Sequence, residues 1–230
     1  MTVRVRSCVL QKPDLILIDL DGTLVDSVPD LAKAVDAMML DIGEQERGEN
    51  VVRNWVGNGV ERLVKRALTQ ELYAEPEQAK YDQAYPIFYQ YYQDYNGKFS
   101  RLFDGIAEGL AVLQKQGYAL ACVTNKAEAF TLPLLEALGI LSYFKIVVSG
   151  DTTAHKKPHP EPLLHAAKFF NADPHQCLMI GDSQHDVEAA RNAGFQVICV
   201  TYGYNHGEDI ADSKPDGIIN SLAELPTLLA

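Results

Sequence analysis

The chain has no apolar stretch approaching the roughly 18 residues that a membrane-spanning helix needs, and it has no block of basic residues. The first absence excludes a spanning helix. The second removes the phosphate-neutralising patch from which nucleic-acid binding starts, and an acidic chain is also repelled by an anionic membrane surface. Cysteine is scarce: Cys8, Cys122, Cys177 and Cys199 lie far apart and form no C-x-x-C pair. Three of them fall inside apolar runs, where they read as small buried hydrophobes, and this favours a reducing compartment. The first residues carry Arg4 and Arg6 but no apolar h-region and no small-residue cleavage site, so a cytoplasmic location is expected. None of the six histidines falls in H-E-x-x-H, and G-x-S-x-G, Walker and G-x-G-x-x-G loops are missing. Zinc protease, serine hydrolase, P-loop nucleotidase and dinucleotide-dependent dehydrogenase readings therefore lack support.

What is present is an acidic globular chain of 230 residues, with 20 Lys+Arg against 31 Asp+Glu, so that 20 − 31 = −11. At 47% hydrophobic residues it can bury a sizeable core. Five short apolar runs recur, at 15–18, 119–123, 146–148, 177–180 and 197–200. Each is nearly continuous in Ile, Leu, Val and similar residues, the pattern of strands buried on both faces of a parallel sheet. Helical spacing separates the later runs: Ile106, Leu110 and Leu113 before Gly117; Phe130, Leu134, Leu135 and Leu138 before Gly139; Val187, Ala190 and Ala193 before Gly194. This alternation predicts an α/β fold, a Rossmann-like doubly wound parallel sheet.

Residues 27–97 break the alternation with amphipathic helical patterns, including Leu31, Val35, Met38, Met39 and then Val60, Leu63, Val64, Ala67, Leu68. They are expected to form an all-α insertion after the first strand, with 1–26 and 98–230 as a discontinuous core. Tyr85, Phe88, Tyr89 and Tyr92 are expected to form the packed face of one helix that Pro86 starts or kinks.

The strand ends carry the chemistry. The first run ends in Asp19-Leu20-Asp21-Gly22-Thr23, the second in Thr124-Asn125-Lys126, the third in Ser149-Gly150-Asp151 and the fourth in Gly181-Asp182-Ser183. In an open α/β sheet such residues converge beyond the carboxyl ends of the strands. Asp19 and Asp21, two apart, leave the same side of an extended chain and repel unless a cation or a shared proton relieves them. That suits a metal site or a nucleophile beside an acid/base. Gly22 allows a sharp turn and close approach to a ligand; an Asp-Gly turn that merely closes a strand is the plainer reading. Asp182 and Asp186, spaced i, i+4 at a helix start, can present one carboxylate to a hard cation and leave the other to hold a coordinated water, or they can serve as a helix cap and a first-turn acid. Thr124 and Asn125 offer a hydroxyl, an amide and unpaired backbone N–H groups to phosphate oxygens. Lys157, stiffened by Pro158 and Pro160, could neutralise a phosphoryl group, with Lys156 as its rival. His155, His159 and His185 fall near the expected crevice but outside the catalytic set. Asn58, between Gly57 and Gly59, is a candidate reader of substrate or part of a glycine-flanked helix start.

Taken together, 19–27, Val123-Thr-Asn-Lys126, Lys157-Pro-His-Pro160 and 181–186 resemble the four motifs of the haloacid dehalogenase superfamily. Trp55-Val-Gly-Asn-Gly59, 133–138 and 201–205 are similar to the bacterial phosphoglycolate phosphatase branch of that superfamily. The resemblance implies that Asp19 is a nucleophile forming an aspartyl-phosphate and Asp21 a general acid/base. It implies Mg²⁺ held by Asp19, the Asp21 carbonyl and Asp182, with Asp186 in the water shell. Thr124 and Lys157 would bind phosphoryl oxygens, with the helical insertion as a lid. Gln184 and His185 stand where many relatives have Arg-Asn. The expected substrate is a small anionic phosphorylated metabolite, 2-phosphoglycolate first. A broader-specificity phosphatase and a β-phosphoglucomutase-like phosphomutase are the alternatives, and a binding protein that keeps only the fold is the non-enzymatic one. Neither nucleic acid nor membrane is expected as a partner, and the chain is expected to be a monomer or homodimer.

Overall fold

The computed structural model describes residues 4–5 and 10–229, so Cys8 and Arg6 lie outside the described residues. The strands are β1 (Arg4–Val5), β2 (Leu15–Ile18), β3 (Val25–Asp26), β4 (Arg101–Leu102), β5 (Ala119–Val123), β6 (Ile146–Val148), β7 (Cys177–Gly181), β8 (Gln196–Val200) and β9 (Gly217–Ile219). The helices are α1 (Val28–Asp41), α2 (Glu49–Arg53), α3 (Val60–Thr69), α4 (Gln78–Tyr95), α5 (Ile106–Lys115), α6 (Glu128–Ala137), α7 (Glu161–Phe170), α8 (Gln184–Ala193) and α9 (Leu225–Leu228).

Seven strands form one sheet in the order β1-β9-β8-β7-β2-β5-β6, parallel except for β1, which runs antiparallel to β9. All five expected strands are in it, and the alternation of strands and helices is that of an α/β fold. The pleat sorts each apolar run onto two faces. Ile16, Ile18, Leu120, Cys122, Leu178, Ile180, Ile198 and Val200 pack under α5 and the C-terminal segment. Leu15, Leu17, Ala121, Val123, Cys177, Met179, Val197 and Cys199 pack against α7 and α8. Continuous hydrophobicity is thus required because both faces are covered. Cys122, Cys177 and Cys199 are buried thiols.

From β2 the chain builds outward to β5 and β6 on one side, then crosses to β7, β8 and β9 on the other. The reversal makes the carboxyl end of β2 the crevice of the sheet. Strand β9 was absent from the expected set because Gly217-Ile-Ile219 offers only two apolar side chains.

Helices α1 to α4 share a second apolar cluster, in which Leu31, Val35, Met38, Met39, Leu63, Val64, Phe88 and Tyr92 are buried. The two-stranded β3–β4 ladder closes its neck. Asp30, fully buried, ties the same neck by accepting from Gly97 N–H and Phe99 N–H at 2.7 Å each and from the Ser100 hydroxyl. Helix α4 departs from one of the two expected roles of Pro86, that of starting it. It begins at Gln78 and runs through Pro86, which occupies mid-helix. Its buried face is Ala84, Phe88 and Tyr92, with Tyr85 and Tyr89 half-buried beside it. Packing of this face offsets the helix hydrogen bond that Pro86 cannot make.

Candidate active site

Four loops meet at the end of β2. After Ile18 the chain turns tightly: Thr23, Leu24 and Val25 all donate to the Leu20 carbonyl, and Gly22 N–H donates to Val25 O at 2.9 Å. Gly22 sits at φ +90°, and a side chain there would run into the Asp182 carboxylate and the Tyr204 ring. Glycine is needed both for the turn and for this approach.

The turn separates the two acids of the first motif. Asp19 faces Lys157, whose Nζ lies 2.8 Å from Oδ1, an ion-pair contact without hydrogen-bond geometry. Asp21 faces Lys126, whose Nζ lies 2.9 and 3.0 Å from its two carboxylate oxygens. Sequence reasoning gave Lys126 no role, although it directly follows Thr124-Asn125 at the end of β5. Its ammonium is buried and lies 5.1 Å from the centroid of the Tyr92 ring on α4. Burial alone would make Lys126 easier to deprotonate, but Asp21 beside it reverses that, and the ammonium form is held.

Lys157 is buried and donates to Val123 O at 2.9 Å and to Asp186 Oδ1 at 2.7 Å as well as meeting Asp19. Burial is again opposed, here by Asp186 and then Asp19, so its pKa rises. Lys156, the rival, lies 3.6 Å from Glu61 and is partly exposed. Asn125 braces Lys157 through the backbone: its Oδ1 accepts from Lys157 N–H at 2.9 Å and its Nδ2 donates to Lys157 O at 3.0 Å and Gly57 O at 3.3 Å. The Asn125 amide is therefore directed at the loop around Lys157. The Thr124 N–H, expected to be unpaired, donates to Val148 O at 2.9 Å, and the Thr124 hydroxyl accepts from Lys126 N–H at 3.2 Å.

Asp182 and Asp186 differ in their partners. Asp182 Oδ1 accepts from the Thr23 hydroxyl at 2.8 Å and Oδ2 from Tyr204 N–H at 2.6 Å. Asp186 Oδ2 accepts from the Ser183 N–H at 3.1 Å and hydroxyl at 2.8 Å. Ser183, not Asp182, is the cap of α8, with Asp186 as its reciprocating residue. Both Asp186 oxygens thus already accept hydrogen bonds. Asp151, at the end of the third strand, does not join the cluster: it accepts from Glu128 N–H at 2.9 Å and caps α6.

Asp19, Asp182 and Asp186 can each offer a carboxylate oxygen with all three within 4.8 Å of one another. Burial pushes Asp19 up to about 7, with Lys157 opposing the shift and Asp186 adding to it. Burial, then Asp186 and Asp19, push Asp182 well above the usual carboxylate range. Asp186 goes down, because Lys157 and Ser183 outweigh its burial. Crowded, buried carboxylates with one cation among them, and an Asp19 oxygen without a hydrogen-bond donor, fit a hard divalent cation with oxygen ligands.

The cavity over these groups is about 40 Å³ and is walled from the helical side by Leu31, Val56, Gly57, Gly59, Val60 and Leu63. Asn58 is not among its walls. Its side chain bridges Arg66 Nη2, 2.7 Å from Oδ1, and His185 Nε2, 2.8 Å from Nδ2. Arg66 can only donate, so Asn58 Oδ1 faces it and Nδ2 donates to His185, which puts the His185 proton on Nδ1. Burial keeps this imidazole neutral by lowering its pKa. Among the site residues without an expected role, Thr23 and Tyr204 stood inside motif segments, whereas the Tyr204–Asp26 hydrogen bond of 2.5 Å joins residues 178 positions apart and had no local signal.

Residues 16–200 match the haloacid dehalogenase-like hydrolases, and the chain belongs to that family. Two curated relatives align along nearly the whole chain. A phosphoglycolate phosphatase of Nitrosococcus oceani is 58% identical over 96% of this chain and 98% of its own. One of Nitrosospira multiformis is 47% identical over 93% and 94%. Among solved structures, a predicted phosphoglycolate phosphatase from Haemophilus somnus superposes with a TM-score of 0.90 at 37% identity, covering 96% of this chain and all of that one.

Proposed function

We propose that the chain hydrolyses 2-phosphoglycolate to glycolate and inorganic phosphate, through an aspartyl-phosphate on Asp19 and with Mg²⁺. The coarser activity, that of a phosphoric monoester hydrolase, follows from the family and from relatives of that name at 58% and 47% identity. The observation that carries the chemistry is the division of labour between the two acids of one turn. Asp19 is set against Lys157 and the other carboxylates, while Asp21 is set apart with Lys126.

In this reading Asp19 attacks phosphorus and the ester oxygen departs with a proton from Asp21. Asp21 then takes a proton from a water that attacks the acyl phosphate, returning Asp19 and releasing phosphate. Lys157 and the Thr124 hydroxyl hold the phosphoryl oxygens, and Asn125 keeps Lys157 in place. Gly22 allows the turn to close over them. Asp19 and Asp182, with the Asp21 carbonyl, would hold Mg²⁺, and Asp186, its charge already paired with Lys157, would act through Lys157 and the water shell. When bound, the cation neutralises charge on the transferring group.

The substrate assignment is supported by the relatives named phosphoglycolate phosphatase, at 58% and 47% identity along nearly the whole chain. Residues 27–97 act as a cap over the core formed by 1–26 and 98–230, and Asn58 acts at their seam. The acidic chain draws its anionic substrate through the local field of Lys157 and the cation. The enzyme works in the cytoplasm on a small phosphorylated metabolite, without nucleic acid or membrane, as a monomer or homodimer.

A panel of phosphorylated metabolites assayed with Mg²⁺ tests the reading. Phosphoglycolate should rank first in kcat/KM. A rank well below other esters ends the substrate assignment, and conversion of a hexose phosphate to its isomer without free phosphate would favour a mutase.

A further inference from the structure

The loop that carries Lys157 brings two histidines and a glutamate together outside the carboxylate pocket. The His155 and His159 rings stack with centroids 4.1 Å apart and planes 25° from parallel. Glu161 Oε2 lies 2.7 Å from His155 Nδ1 and 4.0 Å from His159 Nδ1. One donor atom from each residue can be chosen with all three within 4.8 Å of one another. The loop is folded back by its own bonds. Glu161 accepts from His155 N–H at 3.1 Å, and its N–H donates to His159 Nδ1 at 3.2 Å. The side chains are 60%, 48% and 38% exposed, which leaves room for an ion and its waters. Of the two lysines between the histidines, Lys157 is buried against Asp19 and Asp186, and Lys156 is paired with Glu61. Neither ammonium is left uncompensated in the cluster.

We infer that His155, His159 and Glu161 form a binding site for a borderline divalent transition ion of the Zn²⁺ class, separate from the carboxylate pocket. The donor types decide the ion. Imidazole suits Zn²⁺, Cu²⁺ and Ni²⁺, whereas Mg²⁺ prefers oxygen alone. Two imidazoles and a carboxylate are a common three-ligand zinc set, completed by water. Bonds of about 2.0–2.1 Å need the donors to close by roughly an ångström, which exposed side chains can do by rotation. The N-terminal end of α7 opposes a cation, but the effect is modest at an exposed position, and the Glu161 charge answers it. Because the ligands flank Lys157, an ion here clasps the loop on both sides of that lysine.

Calorimetric titration of the full chain with Zn²⁺, in saturating Mg²⁺, tests the site on the wild type and on His155→Ala, His159→Ala and Asp182→Asn. One Zn²⁺ equivalent should bind to the wild type and persist in Asp182→Asn. It should weaken by about tenfold or more in each histidine variant, the loss that even supporting residues of metal sites produce. Both histidines are exposed, and unchanged circular dichroism confirms that the variants fold. Absence of Zn²⁺ binding in the wild type, wild-type affinity in both histidine variants, or loss of the equivalent in Asp182→Asn would each overturn the assignment.

Discussion

Lys126 grips both carboxylate oxygens of Asp21 from a strand end 105 residues away, and the Tyr92 ring of helix α4 covers its ammonium. The pair joins the core to the helical insertion at the acid assigned to proton transfer. Replacing Lys126 with Met keeps an unbranched side chain, one heavy atom shorter, and removes the charge. kcat should fall on the order of a hundredfold, the usual scale of a positioned acid/base. Stability should drop by less than the about 3–5 kcal/mol typical of a broken buried pair, because Asp21 retains some solvent contact. A variant with wild-type kcat would separate Lys126 from the chemistry.

Asp19→Asn should abolish turnover and leave the fold intact. The Asp19 carboxyl is pushed up to about 7 mainly by burial, so its charged form is held at a cost in the metal-free protein. A neutral amide of the same shape should therefore leave the thermal midpoint unchanged or raise it. Residual hydrolysis through an acyl phosphate in this variant would refute Asp19 as the nucleophile.

The same shifts fix a pH dependence. Asp19 and Asp182 have folded-state pKa values above their unfolded ones. Their contribution to stability is complete below the ordinary value of 3.8; that of Asp19 is lost as pH rises through about 7, and that of Asp182 as pH rises through its own raised value. Asp186 is shifted down, so its contribution is lost only as pH falls below 3.8, outside that window. A cation that binds the ionised pair relieves the loss. At one fixed Mg²⁺ concentration, the rise in Tm should therefore be larger near pH 8, at about one unit above the shifted value, than near pH 5. Equal or reversed shifts by differential scanning fluorimetry would count against the carboxylate site.

Asp30 should matter for stability rather than for chemistry. It is fully buried and accepts two backbone N–H groups and one hydroxyl from the 97–100 segment. Asp30→Ala leaves those donors without a partner, at about 1–3 kcal/mol for each group that water cannot reach. Chemical denaturation should show a loss of several kcal/mol, with KM for any ester changed less than Tm. A loss under about 0.5 kcal/mol, the range of ordinary surface changes, would mean that the neck is held elsewhere.

The β2, β5, β6, β7 and β8 strands were legible because a parallel sheet covered on both faces needs unbroken apolar runs, and Leu15–Ile18 or Cys177–Ile180 can hardly be read otherwise. The shared location of Asp19, Thr124 and Asp182 was legible too, since each directly follows a strand of that sheet. In helix α4 the packed face was legible and the start was not. Pro86 carries a strong local preference for a helix start, and only burial of Phe88 and Tyr92 in the insertion overrides it.

Sequence alone determined the five apolar strands, their order and the residue types at their ends, because periodicity and turn chemistry act over a few residues. Tertiary structure decided the pairings. It sent Asp19 to Lys157 and Asp21 to Lys126, turned Asn125 toward the backbone of Lys157, and placed Asn58 between Arg66 and His185. These contacts join positions scattered along the chain, and a buried charge takes whichever partner the packed fold brings within about 3 Å.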